Sequence, residues 1–165
     1  MLTPFMIWLL FSLAVAVLCW AKPGAGRIFM GCFFVLMAIG VNVVVTLVNP
    51  GIYVELSKTT FIPLYRWVVL NVVALAPVLF GLALAAFELV LAALMLSKGQ
   101  YVRLGLIGAI LFQLAITPVS TETLACPVFA LALALLLRKE YNRSLLDMLR
   151  ARLLREHRSL APRGR

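Results

Sequence analysis

From Ala76 the chain reads APVLFGLALAAFELVLAALML before its next cation, Lys98, and the single charge inside that run is Glu88. About 20 apolar residues suffice to cross the hydrocarbon core of a bilayer. With no water there to satisfy the backbone, such a segment folds as a helix. A Ser97-Lys98-Gly99 turn follows, and a second apolar run continues past Gln113. Residues 77–113 therefore read as a membrane hairpin with a carboxylate near its middle.

The other apolar runs extend this to an all-helical membrane protein of five spans, at about 2–21, 27–48, 77–97, 102–118 and 123–138. The chain is 64% hydrophobic and 13% charged, against about 45–50% and about 25% in ordinary globular domains. One membrane domain, 1–138, and a basic tail, 139–165, are expected.

The first run competes with a signal peptide. No Lys or Arg precedes it, and the first cations, Lys22 and Arg27, follow it. Leu18 stands where a lipoprotein site at Cys19 wants a small residue. The reading is an uncleaved helix with its N-terminus outside. Pro23, Gly24 and Gly26 mark a tight turn, and Asn49-Pro50-Gly51 stops the second helix. Residues 51–76 form the one long connection, with Tyr53, Tyr65 and Trp67 suited to headgroup level. They read as a helix along the outer surface followed by a turn. The alternative is a single kinked helix over 61–96.

Nine of the fifteen Lys and Arg residues lie from Arg138 onward, against three acids there. Lys22, Arg27, Lys98 and Arg103 fall in turns that five spans place on the same side as this tail. The positive-inside rule makes that side cytoplasmic. In 144–160, Leu145, Leu149, Leu153 and Leu160 keep helical spacing among arginines, and Ser144 with Asp147 resembles a capping box. An amphipathic helix lying on the anionic inner leaflet fits this pattern, as does docking on a partner protein. His157, the lone histidine, sits among arginines as a solvated residue. No base-reading pattern accompanies the charge, so nucleic acid is not the expected partner.

An ionisable residue inside a membrane helix is a functional hypothesis by default. Gly81, Ala85, Glu88 and Ala92 share one helical face, which aims the carboxyl into the bundle. Counting residues at a rise of about 1.5 Å brings Gln113, and nearly Asn42, to its height. Arg66 and Tyr65 are the outer-loop residues able to fold toward it. Two readings stand: a hydrogen-bonded carboxyl acting as interhelical glue, or a carboxyl facing a ligand cavity. Enzyme signatures such as HExxH, GxSxG or a Walker loop are absent. One tail histidine allows no bis-histidine haem, and no span carries a lysine for a Schiff base. Cys19, Cys32 and Cys126 show no CxxC spacing and read as small hydrophobes. No metal site or cofactor is evident, with quinone or lipid left open.

From Arg27 onward the chain resembles the DoxX-like family of small bacterial membrane proteins. The resemblance rests on Gly31 and Gly40, the Asn49-Pro50 stop, Ile62-Pro63-Leu64-Tyr65-Arg66, Pro77-Val78-Leu79-Phe80, Phe87-Glu88-Leu89 and Val102-Arg103-Leu104-Gly105. It implies a four-helix core in the bacterial inner membrane, with the first helix added, and links to redox complexes or quinone chemistry. The leading expectation is a non-enzymatic accessory subunit packed on a membrane protein partner or on its own copies. The alternative is a quinone-linked component, or a binder of small hydrophobic ligands, using a cavity at Glu88.

Overall fold

The computed structural model describes residues 3–160, and these form helices and turns with no strand among them. Four helices are long and apolar enough to cross a membrane: Pro4–Ala21, Pro23–Val48, Pro77–Leu96 and Gln100–Val119. The expected fifth span corresponds to a shorter apolar segment, Glu122–Leu136. The elements are α1 (Pro4–Ala21), α2 (Pro23–Val48), α3 (Ile52–Leu56), α4 (Pro63–Asn71), α5 (Pro77–Leu96), α6 (Gln100–Ile116), α7 (Cys126–Leu136) and α8 (Leu145–Leu160).

Prolines open several of these helices. Pro4, Pro23, Pro63, Pro77 and Pro127 each fall in a first helical turn, where the missing N–H costs nothing. Pro23 thereby corrects one expectation. The tight turn over 23–26 is absent, because α2 begins at Pro23 and only Lys22 separates it from α1. Gly24 and Gly26 lie inside α2, and a Cβ on Gly26 would stand 2.8 Å from the Cys19 Cα. Close approach, rather than a turn, requires that second glycine.

The alternative of a single kinked helix over 61–96 does not hold. Ala76 breaks it with φ −150° and ψ 66°, and α5 starts afresh at Pro77. The Tyr65 hydroxyl donates to the Ala115 carbonyl at 2.8 Å, and the Phe61 amide to the Pro118 carbonyl at 3.1 Å. α4 is thereby tied to the far end of α6.

Small residues set the helix spacing, as expected where lipid provides no hydrophobic drive between helices. Gly81 lies under Thr46 and Tyr53, Gly31 under the Leu96 side chain, and Gly105 against Leu94 and the Met95 backbone. These contacts order α2 antiparallel to α5, and α5 antiparallel to α6. Phe11 stacks on Phe129 with centroids 5.7 Å apart. Cys19 and Leu135 share a cleft one end further along, so α1 and α7 run in the same direction. The core centres on Met30, Phe34, Leu91, Met95, Leu106 and Leu133.

The basic turns meet at one end. Arg27 is buried and donates to the Ser97 carbonyl at 2.8 Å and to the Arg143 carbonyl at 3.0 Å. Its guanidinium lies 4.7 Å from the centre of the Tyr141 ring. The Tyr141 carbonyl in turn accepts from the Gly99 amide at 2.8 Å, and Gly99 takes the left-handed φ of 62° that suits glycine. Burial pushes the Tyr141 hydroxyl up to about 12.

At the tail, the Ser144 amide donates to Asp147 and the Asp147 amide to Ser144 Oγ, at 3.0 and 3.1 Å. This reciprocal pair is the capping box read in the sequence. The expected rank of Leu160 and the surroundings of His157 lie outside the described side chains.

Two outcomes test this packing. Gly105→Ala places a Cβ 2.8 Å from Leu94 Cβ and Met95 N, so thermal unfolding in detergent is expected to register a loss of about 1–3 kcal/mol. Gly24→Ala meets nothing within 4 Å and is expected to be neutral or to gain up to about 1 kcal/mol. At the tail, hydrogen bonds from the Ser144 amide and hydroxyl hold Asp147 below the usual carboxylate range. A depressed folded-state value means the cap is intact above the unfolded value of about 3.9. It is lost as pH falls through the lowered folded value. Amide exchange in the first turn of α8 is expected to rise over that window, and Ser144→Ala to raise it already at neutral pH.

Candidate functional site

Glu88 emerges from the small-residue face of α5: Gly81, Ala85 and Ala92 are buried with it, and Glu88 itself is 4% exposed. Its Oε2 accepts a hydrogen bond of 2.6 Å from Asn42 Nδ2 on α2. Asn42 lies in a segment of α2, Met37–Val43, whose backbone widens to π-helical hydrogen bonding. Such a turn carries an extra residue relative to an α-helix and rotates the side chains beyond it. It places Asn42 against Glu88 while Ala38 before it and Thr46 after it stay buried. The Thr46 hydroxyl bonds the Tyr53 hydroxyl at 2.8 Å, closing the α2–α5 seam one turn further on.

On its other side Glu88 lines a half-open cleft of about 130 Å³. The walls are largely aromatic, with Phe33, Phe34, Phe112 and Phe129 facing it, and Gln113 and Ser12 supply polar groups. The Ser12 hydroxyl is spent on the Trp8 carbonyl at 2.7 Å. Gln113 differs. It is 7% exposed, and among the described residues its side-chain amide has no hydrogen-bond partner, since only its backbone carbonyl is engaged, by Thr117. That amide opens onto the cleft instead of being sealed in the bundle, since the one fully buried and unpaired side-chain polar atom among the described residues is Arg27 Nε. At the mouth stand exposed Glu122 and Trp8.

Of the sequence-derived site residues, the fold joins Glu88 and Asn42 directly and brings Gln113 to the same cleft. Tyr65 and Arg66 go elsewhere. The Tyr65 hydroxyl clamps α4 to Ala115, and Arg66 is exposed. Sequence reasoning did not single out Ser12 or Glu122. Ser12 is the one hydroxyl deep in the first apolar run and gave a usable signal, whereas Glu122 looked like an ordinary turn acid. It also took Arg27 for a surface charge of the first turn, where the structure buries it.

The arrangement offers a ring-sized apolar space with a carboxyl acceptor and a free amide on one wall. An apolar cavity of about 150 Å³ holds a benzene ring. The cleft therefore has room for one ring or a comparable headgroup.

The Asn42–Glu88 bond predicts a specific pattern. Asn42→Leu leaves the Glu88 acceptor unmet and Glu88→Leu leaves the Asn42 donor unmet, each expected to lower stability by about 1–3 kcal/mol, whereas the two combined restore most of it. Thermal unfolding of the two single variants and the double variant reads the coupling.

No protein-family model, no curated protein and no solved structure matches the chain.

Proposed function

We propose that the protein binds a small, ring-bearing hydrophobic molecule within the membrane, in the cleft between Glu88 and Gln113. The observation that carries this reading is the Gln113 amide, which makes no hydrogen bond among the described residues and opens onto the same space as Glu88. A donor and an acceptor both open to an apolar pocket match a ligand with a polar edge. Apolar pockets with few convergent polar groups are the usual form of small-molecule sites. A carbonyl on the ligand would accept from Gln113, and a hydroxyl would donate to Glu88. Quinone headgroups belong to this class, in line with the DoxX-like resemblance.

The accompanying topology is a five-span protein of the bacterial inner membrane, with Glu122–Leu136 as the fifth crossing. The N-terminus is outside, and the end carrying Arg27, Lys98 and Arg138 is cytoplasmic. Exposed Leu47, Val48 and Leu75 match lipid as well as a protein partner, so they give an accessory-subunit role no separate weight.

Gentle extraction followed by mass spectrometry of retained small molecules tests the reading. One ring-bearing molecule per chain is expected in the wild type and none in Gln113→Leu. The same substitution keeps a side chain of similar size and removes the amide. The ligand-free variant is expected to unfold no earlier than the ligand-free wild type, which separates loss of ligand from loss of fold. Equal retention by both proteins, or none by the wild type, would remove the cleft from consideration.

A further inference from the structure

We propose that the basic end of the bundle carries a second binding site, for the phosphate headgroup of an anionic phospholipid, in the cleft between α6 and α7. The site is separate from the Glu88 cleft and does not depend on how that cleft is read.

A cleft of about 460 Å³ opens where α6 begins and α7 ends. Three cations line it: Arg103 on the first turn of α6, and Arg138 and Lys139 just beyond α7. Glu140 is the single acid on its wall. The one ion pair among the described residues is Lys98 with Asp147, at 3.9 Å, so none of the three cations is in a contact pair and Glu140 offsets them only in part. The start of α6 adds to the field. Gly99 caps it without a side-chain hydrogen bond, and a helix N-terminus with unoccupied amides favours an anion. The opposing dipole of α7 is blunted, because its last carbonyls accept from the amides of Leu137, Arg138 and Lys139 and from the Tyr141 hydroxyl.

The walls are fixed from behind. Tyr141 lines the cleft while holding the Gly99 amide with its carbonyl. The buried Arg27 guanidinium sits against the Tyr141 ring and bonds the Ser97 and Arg143 carbonyls. The phosphate thus meets a pre-formed floor with exposed cations around it. A lipid is the source that fits the surroundings. Leu106 and Leu137 continue the cleft into the bundle, and exposed Leu104 and Ile107 on α6 offer an apolar track for acyl chains. Basic pockets between membrane helices at the cytoplasmic face are suited to such headgroups.

The test is native mass spectrometry of the full chain in neutral detergent, with phosphatidylglycerol or phosphatidylcholine added at equal concentration. Phosphatidylglycerol is expected to be retained at least about tenfold better. A variant carrying Arg103→Gln, Arg138→Gln and Lys139→Gln is expected to fall to the phosphatidylcholine level, and Arg103→Gln alone to lose several-fold. A tail variant, Arg150→Gln with Arg152→Gln, is expected to retain the lipid as the wild type does. The single variant changes one exposed side chain, so it decides the matter even if the triple variant does not fold. Equal retention of the two lipids, undiminished binding in Arg103→Gln, or loss in the tail variant would overturn the proposal. Displacement by millimolar inorganic phosphate would also overturn it, in favour of a soluble anion.

Discussion

A guanidinium without an anion holds one end of this bundle together. Arg27 reaches from the first turns of α2 to carbonyls that follow α5 and precede α8, with the Tyr141 ring against it. Those carbonyls belong to chain between helices, where no helical amide meets them. A single planar cation with several donors can serve two such acceptors at once. Its Nε is buried with no partner, so the arrangement exacts some desolvation. The return is that α2, the α5–α6 turn and the start of the tail are fixed to one another.

The opposite half of the molecule is organised by space rather than charge. Gly81, Ala85 and Ala92 let α2 come close to α5, and only in that close seam can Asn42 reach Glu88. The aromatic side chains then fill the gap between α1, α2, α6 and α7, but incompletely. The cleft at Glu88 is the space they leave over. Packing and polarity are thus complementary: the tight seam supplies the hydrogen bond, and the loose one supplies the room.

Much of this was legible in the sequence, for identifiable reasons. The apolar runs, the Asn49 and Pro77 boundaries and the small-residue face of α5 derive from hydropathy, proline chemistry and helical periodicity, and each has its counterpart in the structure. The proximity of Asn42, Glu88 and Gln113 came from counting rise along three helices. Arg27 was not legible. Beside a turn, an arginine looks solvated, and only the tertiary fold shows that two orphan carbonyls await it. The π-helical turn at Met37–Val43 also escaped, because nothing in MAIGVNV distinguishes it from ordinary α-helix. Arg66 and Tyr65 were drawn toward the site by sequence proximity to the outer loop, whereas the Tyr65 hydroxyl finds a nearer acceptor at the end of α6.

The shortness of Glu122–Leu136 has a mechanical consequence. At about 1.5 Å per residue it reaches about 22 Å, well under the roughly 30 Å of an average hydrocarbon core. If that segment is the fifth crossing proposed above, a bilayer meeting that side of the protein would thin or dip to keep its polar boundary level with Glu122. That side also carries the mouth of the Glu88 cleft. A molecule dissolved among the acyl chains would therefore arrive sideways, at a local depression of the membrane, without first passing through water.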